Sequence, residues 1–196
     1  MLQRSYTVLA PLYDAVVTLP TRTMRQRNLA QLVFANKTVL LCGIGTGLDR
    51  PFLPPGGYYT GIDLTWAMLT RAQKRSVPQQ VMWLQQGDVL QLPYRDHSFD
   101  IVIMHFILAV VAKPQQALNE ASRVLKPAGE LTILDKFLKP GQRAPLRRFM
   151  NPFISRFITR TDVVFETLTH PHLNIIHDQA ALMNGWFRHI LLRKQP

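Results

Sequence analysis

Between residues 38 and 135, short apolar segments alternate with amphipathic ones, and this alternation most limits how the chain can fold. Near-continuous apolar runs are typical of strands that are buried on both faces of a sheet. The segments between them repeat apolar residues at helical spacing. Strands are predicted at 38–42, 58–63, 81–85, 99–104 and 130–135, and helices at 65–75 and 114–125. The pattern predicts a doubly wound α/β fold with a mostly parallel sheet.

The C-terminal part of the chain adds two further predicted strands, at residues 173–177 and 187–192. Between them, Asp178 is predicted to cap a helix over residues 179–184, since aspartate is a favoured N-cap residue. The expected sheet therefore has seven strands.

A glycine cluster, Gly43-Ile44-Gly45-Thr46-Gly47, directly follows the first predicted strand. Glycine lets the backbone turn tightly and approach a ligand closely. A dinucleotide fingerprint would require glycine at position 48, where the chain has Leu48, and the lysine of a P-loop is also missing. The spacing suits a nucleoside whose carboxypropyl arm lies over the loop. A structural turn that is merely rich in glycine is the alternative.

Two aspartates follow the next two predicted strands. Asp63 ends the second strand, and Asp88 follows the third. The carboxyl ends of neighbouring parallel strands line the ligand crevice, so Asp63 could accept both ribose hydroxyl protons and Asp88 a hydrogen bond from an adenine amino group. A helix N-cap and a turn aspartate are their respective structural alternatives.

These motifs resemble those of the class I S-adenosylmethionine-dependent methyltransferases. The resemblance runs from Val39 to Gly47, continues through Gly61-Ile62-Asp63 and Gly87-Asp88, and ends with the segment from Arg123 to Gly129. It covers residues 38–135 in the family's order. It implies a Rossmann-like methyltransferase fold with helical lid elements. A single domain of residues 1–196 is expected, with a lid at 1–37, a cofactor-binding core at 38–135, and a basic insertion with C-terminal strands at 136–196.

The resemblance implies S-adenosyl-L-methionine as the cofactor, and no metal. The residues it assigns to cofactor binding are Gly43, Gly45, Thr46, Gly47, Asp63, Leu64, Asp88, Val89 and His105. The chain departs from the family at Leu41, where an acidic residue usually helps to organise the site around the methionine amino group. A cofactor-binding scaffold without turnover is therefore kept as an alternative.

Methyl transfer from a sulfonium is an in-line displacement, in which alignment alone can supply about 7–11 kcal/mol of the barrier reduction. A strong general base is optional, and no paired-carboxylate or Ser/His/Asp pattern stands out. The candidate catalytic residues are Tyr13, in an N-terminal segment that covers the cofactor in relatives, His105 as a proton relay, and Asp135 facing the crevice. Simple packing roles are the alternatives for Tyr13 and His105.

The net charge of +11 is concentrated in the two flanks of the chain. Residues 1–37 hold five basic side chains and one acidic, residues 38–135 eight of each, and residues 136–196 ten basic and three acidic. A basic excess favours an anionic partner, although solubility alone could explain it. The single cysteine, Cys42, excludes a disulfide framework and indicates a reducing compartment.

The charged flanks also carry apolar stripes. Residues 146–158 repeat large apolar groups at helical spacing beside arginines, and residues 21–34 form a weaker element with Met24, Leu29, Leu32 and Val33 beside Arg22, Arg25 and Arg27. Such basic amphipathic segments are typical of membrane-surface elements, whereas ordinary lid helices are the alternative. The longest apolar run, residues 101–112, is too short to span a bilayer, and no signal peptide is recognised.

The arrangement is similar in particular to small bacterial phospholipid N-methyltransferases. This similarity implies a phosphatidylethanolamine-type amine as acceptor and a cytoplasmic protein attached to the inner membrane surface. A quinone-ring or other small-molecule acceptor is the alternative. A nucleic-acid acceptor is disfavoured, because Pro54-Pro55 is followed by glycine and no catalytic-cysteine motif is found.

Overall fold

The computed structural model describes residues 21–138, 163–182 and 185–196. Its strands are β1 (Thr38–Cys42), β2 (Tyr58–Asp63), β3 (Val81–Gln86), β4 (Phe99–His105), β5 (Leu125–Lys136), β6 (Leu173–Leu182) and β7 (Phe187–Lys194). The helices are α1, described over residues 21–29, α2 (Trp66–Lys74) and α3 (Pro114–Val124). Short 3-10 turns lie at Arg50–Phe52 and Phe165–Thr167.

All seven strands join one sheet in the order β3-β2-β1-β4-β5-β7-β6. Strands β1 to β5 pair in parallel, whereas β7 runs antiparallel to both β5 and β6. The predicted doubly wound, mostly parallel seven-stranded sheet is thereby confirmed. The strand order reverses beside β1, and ligand crevices of open α/β sheets form at such a switch point.

Buried side chains of the central strands alternate between the two faces of the sheet. Leu40 and Cys42 of β1 pack on the side of α3, while Val39 and Leu41 pack on the side of α1 and α2. Each face therefore has its own apolar core, as expected for strands covered on both sides. This double cover holds the carboxyl ends of β1 to β4 in fixed positions, from which the site is built.

Three expectations about the C-terminal half are wrong. The segment predicted as a helix from residue 179 continues β6 through Leu182, because it pairs antiparallel with β7. Asp178 does not cap a helix but pairs with Arg188 of β7. Strand β5 also begins at Leu125, five residues before the predicted position 130.

The N-terminal amphipathic element differs from its prediction. Met24, Leu29 and Leu32 are buried as expected, but Val33 is 72% exposed and Arg25 only 7% exposed. Arg25 therefore does not belong to a basic surface. Tyr13 and the apolar stripe at 146–158 lie outside the described residues. Within the described ranges, no helix is long and apolar enough to span a membrane.

Candidate active site

A cavity of about 280 Å³ lies at the carboxyl ends of β1, β2, β3 and β4. Its size is near the lower end of small-molecule sites. It is lined by Arg25, Gly43, Ile44, Gly45, Thr46, Leu48, Asp63, Leu64, Thr65, Met68, Asp88, Val89, Leu90, His105, Phe106, Ile107, Val110, Val111 and Ala112. Eight of the nine residues predicted to bind the cofactor line this cavity, and the ninth, Gly47, is not part of its lining.

The glycine loop follows β1 and forms the floor of the cavity. Gly43 and Gly45 have φ angles of +66° and +55°, which favour glycine. A Cβ atom at Gly43 would stand only 2.4 Å from Cδ1 of Ile107, so a larger residue there would require that side chain to move. At Gly47 a Cβ atom would stand 3.0 Å from the Cα of Ala72, which identifies it as the close-packing contact with α2.

Asp63 ties the end of β2 to the glycine loop. Its Oδ2 accepts a hydrogen bond from the backbone N–H of Gly45 at 3.0 Å, and its Oδ1 accepts bonds from the backbone N–H and the hydroxyl of Thr65. Burial raises the pKa of Asp63, and the N–H donors of Thr65 and Gly45 oppose that rise. The side chain fixes the loop and also faces the cavity, as a ribose-binding carboxylate must.

Asp88 and Val89 line the same cavity beyond β3. Oδ1 of Asp88 accepts a hydrogen bond from the backbone N–H of Leu90 at 2.9 Å, so this aspartate also shapes its own turn. Val89 is 6% exposed, while Leu64 on the neighbouring wall is 47% exposed. A ring could therefore lie between the apolar side chains of Val89 and Leu64, with the carboxylate of Asp88 beside it.

His105 ends β4 at the cavity wall, but both of its ring nitrogens have partners. Nδ1 lies 2.8 Å from Oδ1 of Asp49, and Nε2 lies 3.1 Å from Oδ1 of Asn28. The His105 side chain is only 1% exposed. A free proton relay would need one nitrogen directed at the substrate, so this geometry favours a supporting role for His105.

Asp135 does not reach the cavity, which corrects its expected position facing the crevice. It is 1% exposed, and its carboxylate accepts hydrogen bonds from the backbone N–H groups of Ala109 and Lys136. Burial raises the pKa of Asp135 to about 6, although these N–H groups oppose the rise. Asp135 holds the segment after β4 in place. Any role in catalysis would be indirect.

The sequence interpretation missed the polar partners behind the cavity wall. Oδ1 of Asp49 lies 2.8 Å from both Nη1 of Arg25 and Nδ1 of His105. Burial would raise the pKa of Asp49, but Arg25 and His105 more than offset it and hold the pKa well below its usual value. Arg25 lies 24 positions away in sequence and resembles a surface helix charge, so no local signal could have revealed this pair.

The cavity contains no side chain poised as a nucleophile among the described residues. Burial raises the pKa of the Cys42 thiol to about 12, and Cys42 is fully within the core. Within the described ranges, no cluster of His, Cys, Asp and Glu could hold a metal ion. The arrangement fits reactions that depend on alignment rather than on covalent catalysis.

Comparison with known proteins gives a consistent result. Residues 40–133 match the family model described as "Methyltransferase domain". A phosphatidylethanolamine N-methyltransferase of Cereibacter sphaeroides is 28% identical over 98% of this chain and 97% of its own length. A demethylmenaquinone methyltransferase of Lactiplantibacillus plantarum is 34% identical, over 68% of this chain but only 61% of its own length.

The fold also matches solved structures. A chain from the complex between the Haloferax volcanii Trm112 methyltransferase activator and a methyltransferase superposes with a TM-score of 0.78 at 17% identity, covering 97% of this chain and 98% of that one. At this identity the likeness concerns the fold. The matched methyltransferase domain and the methyltransferase relatives support assigning the chain to the class I S-adenosylmethionine-dependent methyltransferases.

Proposed function

We propose that the chain transfers methyl groups to the amine of a phosphatidylethanolamine-type phospholipid at an anionic membrane surface. The observation that carries the proposal is the full-length similarity to a phosphatidylethanolamine N-methyltransferase, which extends over the flanks as well as the core. The similarity to the demethylmenaquinone methyltransferase leaves more than a third of that protein unmatched. Since the core is shared by many methyltransferases, the flanks are the more informative part for the acceptor.

The cavity fits the cofactor. Gly45 needs its positive φ, and a Cβ atom at that position would meet no atom closer than the Gly43 carbonyl oxygen at 3.9 Å, so the loop is open toward a ligand. Asp63 would hold the ribose, and Asp88 with Val89 the adenine. When bound, S-adenosylmethionine supplies a methyl group on a sulfonium, which is reactive enough to need no protein nucleophile.

The remaining walls of the cavity are apolar, which suits an acceptor whose amine is uncharged when it reacts. Leu64, Met68, Val110 and Val111 line the cavity, and Leu64 is half-exposed at its edge. Such walls exclude water and align the neutral amine, which must release its ammonium proton before its lone pair can attack. His105, the candidate proton relay, has both ring nitrogens engaged, so we expect water to accept the proton outside the cavity.

Most of the basic residues in the C-terminal flank fall in one segment. Of the four described cations in this flank, Arg188 pairs with Asp178 and Glu166, Arg193 pairs with Glu130, and Lys194 donates to two backbone carbonyls. The fourth, Lys136, is also engaged in an interaction. Six further cations fall between residues 139 and 160, next to the apolar stripe at 146–158. We propose that this segment attaches the protein peripherally to the inner membrane surface.

The acceptor is tested with vesicles that contain phosphatidylethanolamine, an anionic lipid and demethylmenaquinone, incubated with protein and methyl-labelled S-adenosylmethionine. Label in the phospholipid headgroup fraction is the expected result, and D63A serves as the inactive control. Label confined to the quinone would favour the quinone alternative. No label in either fraction, with cofactor binding retained, would favour a scaffold without turnover.

Membrane attachment is tested by cosedimentation with anionic and neutral vesicles. Binding to anionic vesicles only, weakened by salt, is expected because exposed charges are screened. The R147Q/R148Q variant should bind about 30-fold more weakly, since each basic residue near the lipid contributes about 1 kcal/mol. The control R71Q/K74Q removes two charges from α2 in the neutral core and should bind normally. Equal loss in both variants would contradict the proposal.

A further inference from the structure

Arg25 reaches the cavity from α1 and is held there by three contacts. Its Nη1 lies 2.8 Å from Oδ1 of Asp49, its Nε donates to the hydroxyl of Thr21 at 3.3 Å, and its Cζ stands 4.7 Å from the ring centroid of Phe106. A cation over an aromatic face is attracted by the ring quadrupole. The guanidinium is therefore fixed in position before any ligand binds.

The charges of the cavity wall are ordered along the sheet. Asp88 follows β3 and Asp63 ends β2, whereas Arg25 stands beside His105 at the end of β4. Strand β1 with its glycine loop separates β2 from β4. One end of the cavity thus carries carboxylates suited to hydroxyl and amino donors, and the other end carries a guanidinium suited to an anion.

Strand β1 supplies no charge to this second end. Leu41, near the carboxyl end of β1, is 1% exposed within an apolar cluster that includes Val39 and Ile103. The methionine end of the cofactor carries a carboxylate and an ammonium group, which must be met by polar partners once they leave water. Arg25, with Asp49 behind it, is the charged pair at that end among the described residues.

The guanidinium keeps donors for a ligand. Arginine has five N–H groups, and among the described residues the contacts with Thr21 and Asp49 use two of them. Asp49 is 4% exposed and does not line the cavity itself, so it acts on the ligand through Arg25. A carboxylate behind an arginine can orient the guanidinium so that it binds an anion through two parallel hydrogen bonds. Asp49 has this position behind Arg25.

We propose that Arg25 binds the α-carboxylate at the methionine end of the cofactor, and that Asp49 is the positioning residue that orients Arg25 for this contact. The inference depends on the cofactor and not on the proposed phospholipid acceptor. It assigns to α1 a part in cofactor recognition that β1 cannot supply.

The test compares two ligands by calorimetry: S-adenosylhomocysteine and its decarboxylated analogue, which lacks only the carboxylate. The wild-type protein should bind the first about 10- to 100-fold more tightly, as expected for hydrogen bonds to a charged group. In R25Q this preference should disappear, because affinity for S-adenosylhomocysteine falls while affinity for the analogue is unchanged. The control R27Q, an exposed charge of the same helix, should keep the wild-type preference.

Asp49→Asn should reduce the preference in part, and it should leave the affinity for the analogue within about twofold of wild type, which also verifies the folded cavity. Equal weakening of both ligands in R25Q or D49N would mean that the residue only supports the fold and would overturn its assignment. Equal affinity of the wild-type protein for the two ligands would overturn the proposal without any variant.

Discussion

Each end of the sheet holds an ion pair, but the two pairs differ in what they connect and in exposure. At the amino ends, Asp100 pairs with Lys126 of β5 and accepts hydrogen bonds from Thr38 of β1. The Asp100 and Lys126 side chains are 23% and 38% exposed. At the carboxyl ends, the Asp49 and Arg25 side chains are 6% and 8% exposed.

This difference separates a structural contact from one suited to binding. Water can replace the partners of Asp100 and Lys126, so the exposed pair contributes little to stability. A buried pair pays a desolvation cost that apolar residues would avoid, and breaking it leaves a charge without compensation. The chain keeps such a pair at the cavity, where a fixed guanidinium has a chemical use.

The largest effect is expected at the carboxyl ends on replacing Asp63 by alanine. Two hydrogen bonds from ribose hydroxyls to the carboxylate would be lost, which corresponds to about 3–6 kcal/mol of binding free energy. Calorimetry with S-adenosylhomocysteine measures the loss, and circular dichroism checks that the fold is retained. A folded D63A protein with wild-type affinity would refute the ribose role.

Replacing Asp49 by asparagine should lower the free energy of unfolding by about 3–5 kcal/mol, because Arg25 would stay buried without a countercharge. Urea unfolding near neutral pH measures this change. The lowered pKa of Asp49 predicts that its stabilising contribution is present above the pKa of an unfolded aspartate and is lost only in strong acid. A loss below about 1 kcal/mol would mean that the Asp49–Arg25 pair stabilises the fold no more than the exposed Asp100–Lys126 pair does.

Asp135 should have the opposite pH dependence. Its folded pKa of about 6 exceeds the ordinary 3.8, so the folded state holds the proton more tightly and Asp135 favours folding less as pH rises from about 4 to 6. The contribution is on the order of 2–3 kcal/mol. His189, whose pKa burial lowers to about 4, acts in the reverse sense over a similar range.

Stability curves of the wild-type protein and D135N therefore separate the two groups. The variant should gain stability more steeply than the wild type between pH 4 and pH 6, because the opposing contribution of Asp135 is absent while that of His189 remains. Parallel curves would show that Asp135 ionises normally in the folded protein.

The smallest effect is expected at the amino ends. K126M should change the free energy of unfolding by no more than about 1 kcal/mol and should leave cofactor affinity unaltered. Urea unfolding and calorimetry on the same preparation test both statements. A loss as large as that of D49N would remove the contrast between the two ends.

The sequence predicted the sheet well because its signals are local. Buried strands form continuous apolar runs, and the glycine loop and Asp63 stand at strand ends, so their convergence follows from parallel pairing alone. At the end of β6 tertiary pairing decided the structure instead. Residues 179–182, Gln-Ala-Ala-Leu, suit a helix by propensity, but their pairing with β7 makes them a strand.

The parts of the site that the sequence did not predict depend on contacts between distant segments. Nothing around Arg25 distinguishes it from Arg22 or Arg27, and only the folded chain brings it to Asp49. Phe106 also escaped notice, although its φ of +58° turns the chain after β4 toward the cavity and its ring supports Arg25. Asp135 was correctly placed at a strand end, but its side chain turns toward backbone donors instead of the crevice.

The most direct test of the account is whether the wild-type chain binds its cofactor although it has Leu41 where the family resemblance implies an acidic residue. Calorimetric titration with S-adenosylhomocysteine should give one site per chain with a dissociation constant well below 1 mM. D63A should show no binding. A folded wild-type protein that gives no binding heat at millimolar ligand would contradict the account.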